Sequence, residues 1–301
     1  MMVGLMRRDS IQFKSPAKVN LGLKVIKKRP DGYHEIETVM QMITLSDALL
    51  FEPTEGGIEL ICQGLNLLGD RSNLVYQAAE LIREKGGVGS GVRIILDKRI
   101  PVMAGLGGGS SNAATTLIGL NRLWQLGLRR DELIDLARGL GADVPFFLYG
   151  PRAYAAGRGD QLSPLPSLQK LIMLLVKPDI SIPTSWAYKA LNLSLTKDRD
   201  SIKIICQLIE QGLDNQIAAH LFNDFEETII AHYPIIGEIK NDLLNQGALG
   251  ALMSGSGPTV FAIFPTHHKA VEVYQRYSKR KMQVFVVETI MDMEEVTCAT
   301  E

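Results

Sequence analysis

"IPVMAGLGGGSSNAATTLIGL", residues 100–120, sets four glycines and two serines between a strand-like run and a helix-like one. A chain that turns sharply from strand into helix leaves several amide N–H groups unpaired at the helix start, where the helix dipole also favours negative charge. Phosphate is the natural guest of such a turn. Gly105, Gly107, Gly108 and Gly109 can take positive φ and let the backbone approach oxygens closely, while Ser110 and Ser111 can cap the helix and add hydroxyl donors or a metal contact. A flexible connector would share this composition, but four glycines in five positions cost backbone entropy that a connector has no need to lose. Two phosphate motifs are excluded by spelling. A P-loop requires a lysine after its glycines, and none follows here. A Rossmann fingerprint requires a third glycine where this chain has Ser110 or Asn112.

Working outward, Ala113, Leu117, Leu120 and Trp124 recur at helical spacing and predict a helix that ends near Gly127. A second helix follows rather than a strand, which also disfavours a Rossmann unit. Asp131 is its candidate cap, Leu133, Leu136, Ala137 and Leu140 its buried stripe, and Gly141 its left-handed stop. Upstream, "SNLVYQAAELIREKGG" reads as a helix capped by Ser72 or Asn73 and stopped by Gly86. Before it, "IQF", "VNLGLKVI", "ETVMQMITL" and "ALLFE" read as strands broken by "RPDGYH" and "PTEGG". The Gly- and Pro-rich stretch 151–170 is the candidate domain junction. Beyond it come a strand "KLIMLLVKP", several helices, a strand "PTVFAIF", a helix "HKAVEVYQRYSK" and a last strand "QVFVVETI". Strands and helices alternate without a strict βαβ order, so the fold class expected is α+β.

Composition sets the remaining bounds. With 32 basic and 33 acidic side chains well mixed, the net charge of -1 offers no extended field for nucleic acid or membrane, so any anion must be held locally. Cys62, Cys206 and Cys298 are too few and too scattered for a disulfide framework or structural zinc, which suits a cytoplasmic protein. The apolar run "LIMLLV" is far short of a membrane span. The start "MMVGLMRRDSIQFKSP" has one basic pair and no apolar core, so neither a secretory signal nor a transit peptide is expected. The sequence leaves monomer or homodimer open.

"PVMAGLGGGSSNAA" resembles the ATP-binding signature of the GHMP small-molecule kinases, and "MSGSGPTVFAIF" resembles the family's third motif. Together with "GADVPFFL", the runs "SPAKVNLGLKVIKKRPDGYHEIETVMQ" and "GLGGGSSNAA" are similar to the branch of the family that phosphorylates a cytidyl diphosphate substrate in bacterial isoprenoid synthesis. The resemblance runs from about Ser15 to Phe264. It implies an N-terminal domain, 1–165, of ribosomal-protein-S5-domain-2-like fold and a C-terminal ferredoxin-like domain, 166–301. It implies ATP as co-substrate, with the triphosphate over Pro101, Val102, Met103, Ala104, Gly105, Leu106, Gly107, Gly108, Gly109, Ser110 and Ser111, and adenine near Asn73 and Lys98. Asp143 becomes the candidate base and Lys18 its cationic partner; Asn20, Tyr33, His34 and Tyr188 become substrate residues, with Tyr33 and Tyr188 on the two faces of the cytosine and His34 at its edge. Ser111 and Asp143 become contacts to Mg²⁺, while the glutamate that several relatives use for magnesium has no located counterpart.

Plainer roles stand beside each of these. A lone strand lysine faces solvent, an aspartate before proline caps a turn, "YH" pins a loop, a helix tyrosine packs in the core, and "GSG" is an ordinary turn. Another GHMP kinase, of mevalonate or homoserine type, would lack the cytosine site, and a non-catalytic nucleotide-binding regulator would have no reason to keep both Lys18 and Asp143.

Overall fold

The computed structural model describes residues 10–63, 68–166, 169–191 and 201–294. Residues 1–9, part of the stretch read as carrying neither a secretory signal nor a transit peptide, and Cys298 lie outside the described residues. The short runs expected near the start join into two long antiparallel strands, β1 (Ile11–Lys28) and β2 (His34–Thr54). Pro16 and Gly22 do not break β1, because register shifts at Pro16/Ala17 and Asn20/Gly22 absorb them as bulges. With β3 (Ile58–Gln63), β4 (Gly91–Asp97) and the hairpin of β5 (Arg152–Ala156) and β6 (Gln161–Pro164), these strands form the first sheet.

Three helices cover one face of that sheet: α1 (Leu74–Lys85), α2 (Gly108–Leu123) and α3 (Arg130–Leu140). Asn73 caps α1 through its side chain and Gly86 ends it, as local chemistry dictates. The start of α3 departs from expectation: Arg129 is the N-cap, the Glu132 carboxylate accepts the Arg129 N–H at 3.0 Å, and Asp131 lies inside the first turn. Gly141 is extended, with φ 166°, rather than left-handed. The following "PFFLY" closes into one helical turn, α4 (Phe146–Tyr149).

The second sheet is built from β7 (Ile172–Pro178), β9 (Gly250–Met253), β10 (Val260–Phe264) and β11 (Met282–Glu288), in the order β11-β7-β10-β9 with every pair antiparallel. With α8 (Pro234–Asn245) and α9 (His267–Tyr277) this is the ferredoxin-like βαββαβ arrangement. Between β7 and β9 the chain inserts α5 (Thr184–Ala190), α6 (Ser201–Glu210), a 3₁₀ turn (Asp214–His220), a two-residue strand β8 (Phe222–Asn223) and α7 (Phe225–His232). No helix among the described residues is long and apolar enough to cross a membrane.

The connector from β6 to β7 contains the proposed boundary at 165/166, yet the two halves are stitched together well beyond it. β8 adds to the first sheet beside β1, pairing Gly22 with Phe222 and Leu23 with Asn223. After β11 the chain returns to β2, where the Ile290 amide donates to the Met42 carbonyl at 3.0 Å. Val19, Leu21 and Ile43 share one buried cluster with Leu175, Ile205 and Phe261. A fully buried ion pair crosses the same junction: Arg152 Nη1 lies 2.9 Å from Asp214 Oδ2, and the Arg152 guanidinium also donates to Gln41 Oε1.

Removing one member of such a pair strands the other charge in the core. Arg152→Met should therefore cost about 3–5 kcal/mol in urea unfolding, and the double variant with Asp214→Leu should recover most of that loss.

Candidate active site

The glycine loop runs from the end of β4 to the start of α2. Gly107, at φ 69°, is the N-cap of α2, and no side chain caps the helix. Ser110 and Ser111 thus lie inside the first turn instead of capping it. The turn from Gly108 to Ser110 lines a cleft of about 1400 Å³, so a 16-residue helix offers its amide end to that space. β1 holds the loop by a backbone bond from the Lys18 N–H to the Leu106 carbonyl, at 2.9 Å.

The "MSGSG" turn grips the loop from the other half. Ser254 Oγ donates to the Gly105 carbonyl at 2.9 Å, and a Cβ at Gly105 would stand 2.1 Å from the Ser254 carbonyl oxygen. The turn is itself fixed by Asn223, whose Nδ2 donates to the carbonyls of Met253 and Gly255 at 2.8 and 2.7 Å. It is part of the site rather than a bystander.

Lys18 is buried on β1, and its stem passes against Gly107, where a Cβ would come within 3.0 Å of Lys18 Cγ. Its ammonium donates to Asn20 Oδ1 at 2.6 Å and lies 3.6 Å from Asp143 Oδ2. Asn20 in turn donates to Thr38 Oγ1 at 2.8 Å, so the amide is held with its oxygen toward the lysine. Asp143 sits in the turn between α3 and α4 with its side chain 37% exposed, open to the cleft at one side. A cation screened from water thus faces a carboxylate that a ligand can reach.

The aromatic end differs from the expected sandwich. His34 stacks directly on Tyr188, with ring centroids 4.6 Å apart and planes 23° from parallel. Tyr33 is 53% exposed and lies instead under the Arg158 guanidinium, 5.0 Å from the ring centroid. Burial, and then the charge of Lys28, push the His34 imidazole below its ordinary pKa, so it is neutral at pH 7 and can both donate and accept. Burial, and then Asp143, push the Tyr188 hydroxyl well above its ordinary range.

Every expected site residue lines the same cleft except Ser111. That serine is fully buried and accepts a hydrogen bond from Ser15 Oγ at 2.8 Å, so its hydroxyl is turned away from any metal held in the cleft. Lys98 is buried and paired with Asp47, and Asn73 donates to the Leu68 carbonyl at 3.1 Å beside it. Sequence reasoning missed Lys28, Thr38, Arg158 and Lys189, which also line the cleft. Lys28 and Thr38 lie inside the quoted run from Ser15 to Gln41 and Lys189 adjoins Tyr188, so neighbouring site residues could have pointed to them; Arg158 has no such neighbour. Among the described residues the lining holds Lys18, Lys28, Lys98, Arg158 and Lys189 with Asp143 as the one acidic side chain, while Asp47 and Asp160 pair with Lys98 and Arg158 from behind it; this surface suits a polyanion. Among the described residues, no cluster of three or more His, Cys, Asp or Glu could hold a metal on protein ligands alone.

Residues 73–151 match the family model described as GHMP kinases N terminal domain, and residues 201–283 match GHMP kinases C terminal. A 4-diphosphocytidyl-2-C-methyl-D-erythritol kinase of Pelotomaculum thermopropionicum is 46% identical over 91% of this chain and 96% of its own length. Another, of Alkaliphilus metalliredigens, is 42% identical over 93% of this chain and 96% of its own. A crystal structure of 4-(cytidine 5'-diphospho)-2C-methyl-D-erythritol kinase superposes with a TM-score of 0.79 at 35% identity, covering 93% of this chain and 99% of that one. A homoserine kinase of Cytophaga hutchinsonii, 20% identical with a TM-score of 0.74 over 97% of this chain and 98% of its own, shares the fold.

The loop geometry sorts its glycines. Gly105→Ala meets the Ser254 carbonyl in a left-handed conformation and should lose about 2 kcal/mol or more in thermal unfolding. Gly109→Ala, whose Cβ would find nothing nearer than Leu74 Cδ1 at 3.9 Å, should leave stability unchanged or raise it by up to about 1 kcal/mol.

Proposed function

Since the chain belongs to the GHMP kinases, and within them to the 4-diphosphocytidyl-2-C-methyl-D-erythritol kinases, we propose that it transfers the γ-phosphoryl group of ATP to the 2-hydroxyl of 4-diphosphocytidyl-2-C-methyl-D-erythritol. The products are the 2-phosphate and ADP, in non-mevalonate isoprenoid precursor synthesis. One observation carries the reading at the site: a single cleft joins an uncapped helix N-terminus, the Lys18–Asp143 pair and a neutral aromatic pair. We read the protein as bacterial and cytoplasmic, which the bacterial sources of its relatives support.

In this reading the amides of the first turn of α2 and the loop before it hold the triphosphate, with Asn73 toward the adenine and the Lys98 ammonium against that first turn. Phosphoryl transfer asks the protein mainly for position and charge. The substrate hydroxyl oxygen forms its bond to the γ-phosphorus as the bond to the β,γ-bridging oxygen breaks, and Asp143 orients the hydroxyl and accepts its proton. Lys18, fixed by Asn20, pairs with Asp143 and offsets charge on the transferring group. At the other end, the pyrimidine is held by directed polar groups of neutral His34 and by the faces of Tyr33 and Tyr188. The self-stacked His34 and Tyr188 rings must part for a base to enter between Tyr188 and a partner ring.

The cleft also fits Mg²⁺ bound with the nucleotide. Mg²⁺ bound with a nucleotide keeps waters and needs one carboxylate beside phosphate oxygens, so Asp143 and the Ser110 hydroxyl, which both line the cleft, would be the residues to hold it rather than Ser111. When bound, it would neutralise charge on the phosphate oxygens.

Asp143→Asn should fold and still bind ATP while kcat falls by about 10²- to 10⁴-fold; normal turnover would remove Asp143 from the chemistry. His34→Ala should raise KM for the cytidyl substrate about 3- to 10-fold with ATP affinity intact. Comparing turnover of the cytidyl substrate with that of mevalonate and homoserine tests the substrate, and indifference to the cytidyl group would sink it.

A further inference from the structure

Beneath the glycine loop lies a carboxylate that takes no direct part in the cleft. Asp47, on β2, is 1% exposed and its side chain meets four donors. Its Oδ1 accepts the Arg99 and Ile100 amides, each at 2.7 Å, where the chain leaves β4 and enters the loop. Its Oδ2 accepts the Lys98 ammonium, and Asn112 Nδ2 at 2.8 Å from inside α2. Asn112 Nδ2 also donates to Ser15 Oγ at 2.9 Å, which carries the network on to β1. Both ends of the loop are therefore tied to one side chain.

The Lys98 ammonium is held where a Cβ at Gly108 would come within 2.8 Å of it, against the first turn of α2. Lys98 lines the cleft and Asp47 does not. We propose that Asp47 is the positioning residue of the nucleotide site, closing the loop at its base and holding the Lys98 ammonium against the turn that receives phosphate. This rests on reading the cleft as an ATP site. The titratable groups facing Lys98 are Asp47 from β2 and Cys62 from β3; burial lowers the pKa of Lys98, and Asp47 is the main influence opposing it.

The test compares the full-length wild type with Asp47→Asn and Asn112→Ala by calorimetric titration with ADP and by steady-state kinetics in both substrates. Asn at 47 keeps an acceptor for the two amides but removes the counter-charge of Lys98. Asp47→Asn should weaken nucleotide binding and raise KM for ATP about 10- to 100-fold. At saturating ATP, kcat and KM for the alcohol substrate should stay within about threefold of wild type. Asn112→Ala leaves the ion pair and should move KM for ATP in the same direction by less. The affinity of Asp47→Asn should fall further as pH is raised from neutrality toward the ordinary lysine range, as unpartnered Lys98 loses its proton, beyond any change in the wild type.

A purely structural role would instead lower kcat in proportion to folded protein, leave both KM values alone and add no such pH dependence, and that result overturns the proposal. Should Asp47→Asn fail to fold, Asn112→Ala decides, since an unchanged KM for ATP there also overturns it. A wild type that binds no nucleotide would refute the ATP reading itself, and this proposal with it.

Discussion

The carbonyl oxygen of Ser254 stands 2.1 Å from where a Cβ would be placed on Gly105, so the two backbones meet this closely because residue 105 has no side chain. This contact joins the ferredoxin-like half to the loop of the other half. It sets where the amide end of α2 faces, and hence where a phosphate chain can lie relative to Lys18 and Asp143. Asn223 and the backbone bond from Lys18 to Leu106 brace the contact from either side, which makes the loop a fitted part between two sheets.

Charge in the cleft follows a division of labour. A P-loop carries its lysine inside the motif; here the motif carries none, and positive charge comes from strands on either side of it. Lys18 arrives from β1 paired with a carboxylate open to ligand, whereas Lys98 arrives at the end of β4 paired with a carboxylate sealed from water. In the proposed reaction the first pair is the one open to substrate. The second has no such freedom, because Asp47 already meets two amides and Asn112.

How much of this was legible in the sequence depends on how far each partner lies along the chain. The strand-to-helix transition at residues 105–111 and Asn73, one of two candidate caps of α1, are local matters of glycine and amide chemistry and were legible, although Gly107 takes the cap position expected of Ser110 or Ser111. The α+β class and the order of strands and helices also follow from periodicity. Bulges hid the continuity of β1, since Pro16 looks like a break until a partner strand absorbs it. Of two neighbouring serines, the one facing the cleft is settled by Ser15, 96 residues away from Ser111. Tyr33 and His34 are likewise adjacent, and only the packed α5 shows that His34 is the one against Tyr188. Asp47 carries no motif at all; its importance exists only once Asn112, 65 residues on, is brought beside it.

The pairing of β8 with β1 sets a schedule for the making of the molecule. Gly22 waits for Phe222, and Met42 waits for Ile290, so the first sheet has an open edge until most of the chain has left the ribosome. Such long-separation contacts form late and slowly, and an unpaired strand edge is a template for association with other chains. The half that looks like a complete domain in sequence order is therefore, during synthesis, the half most exposed to aggregation until the second half arrives.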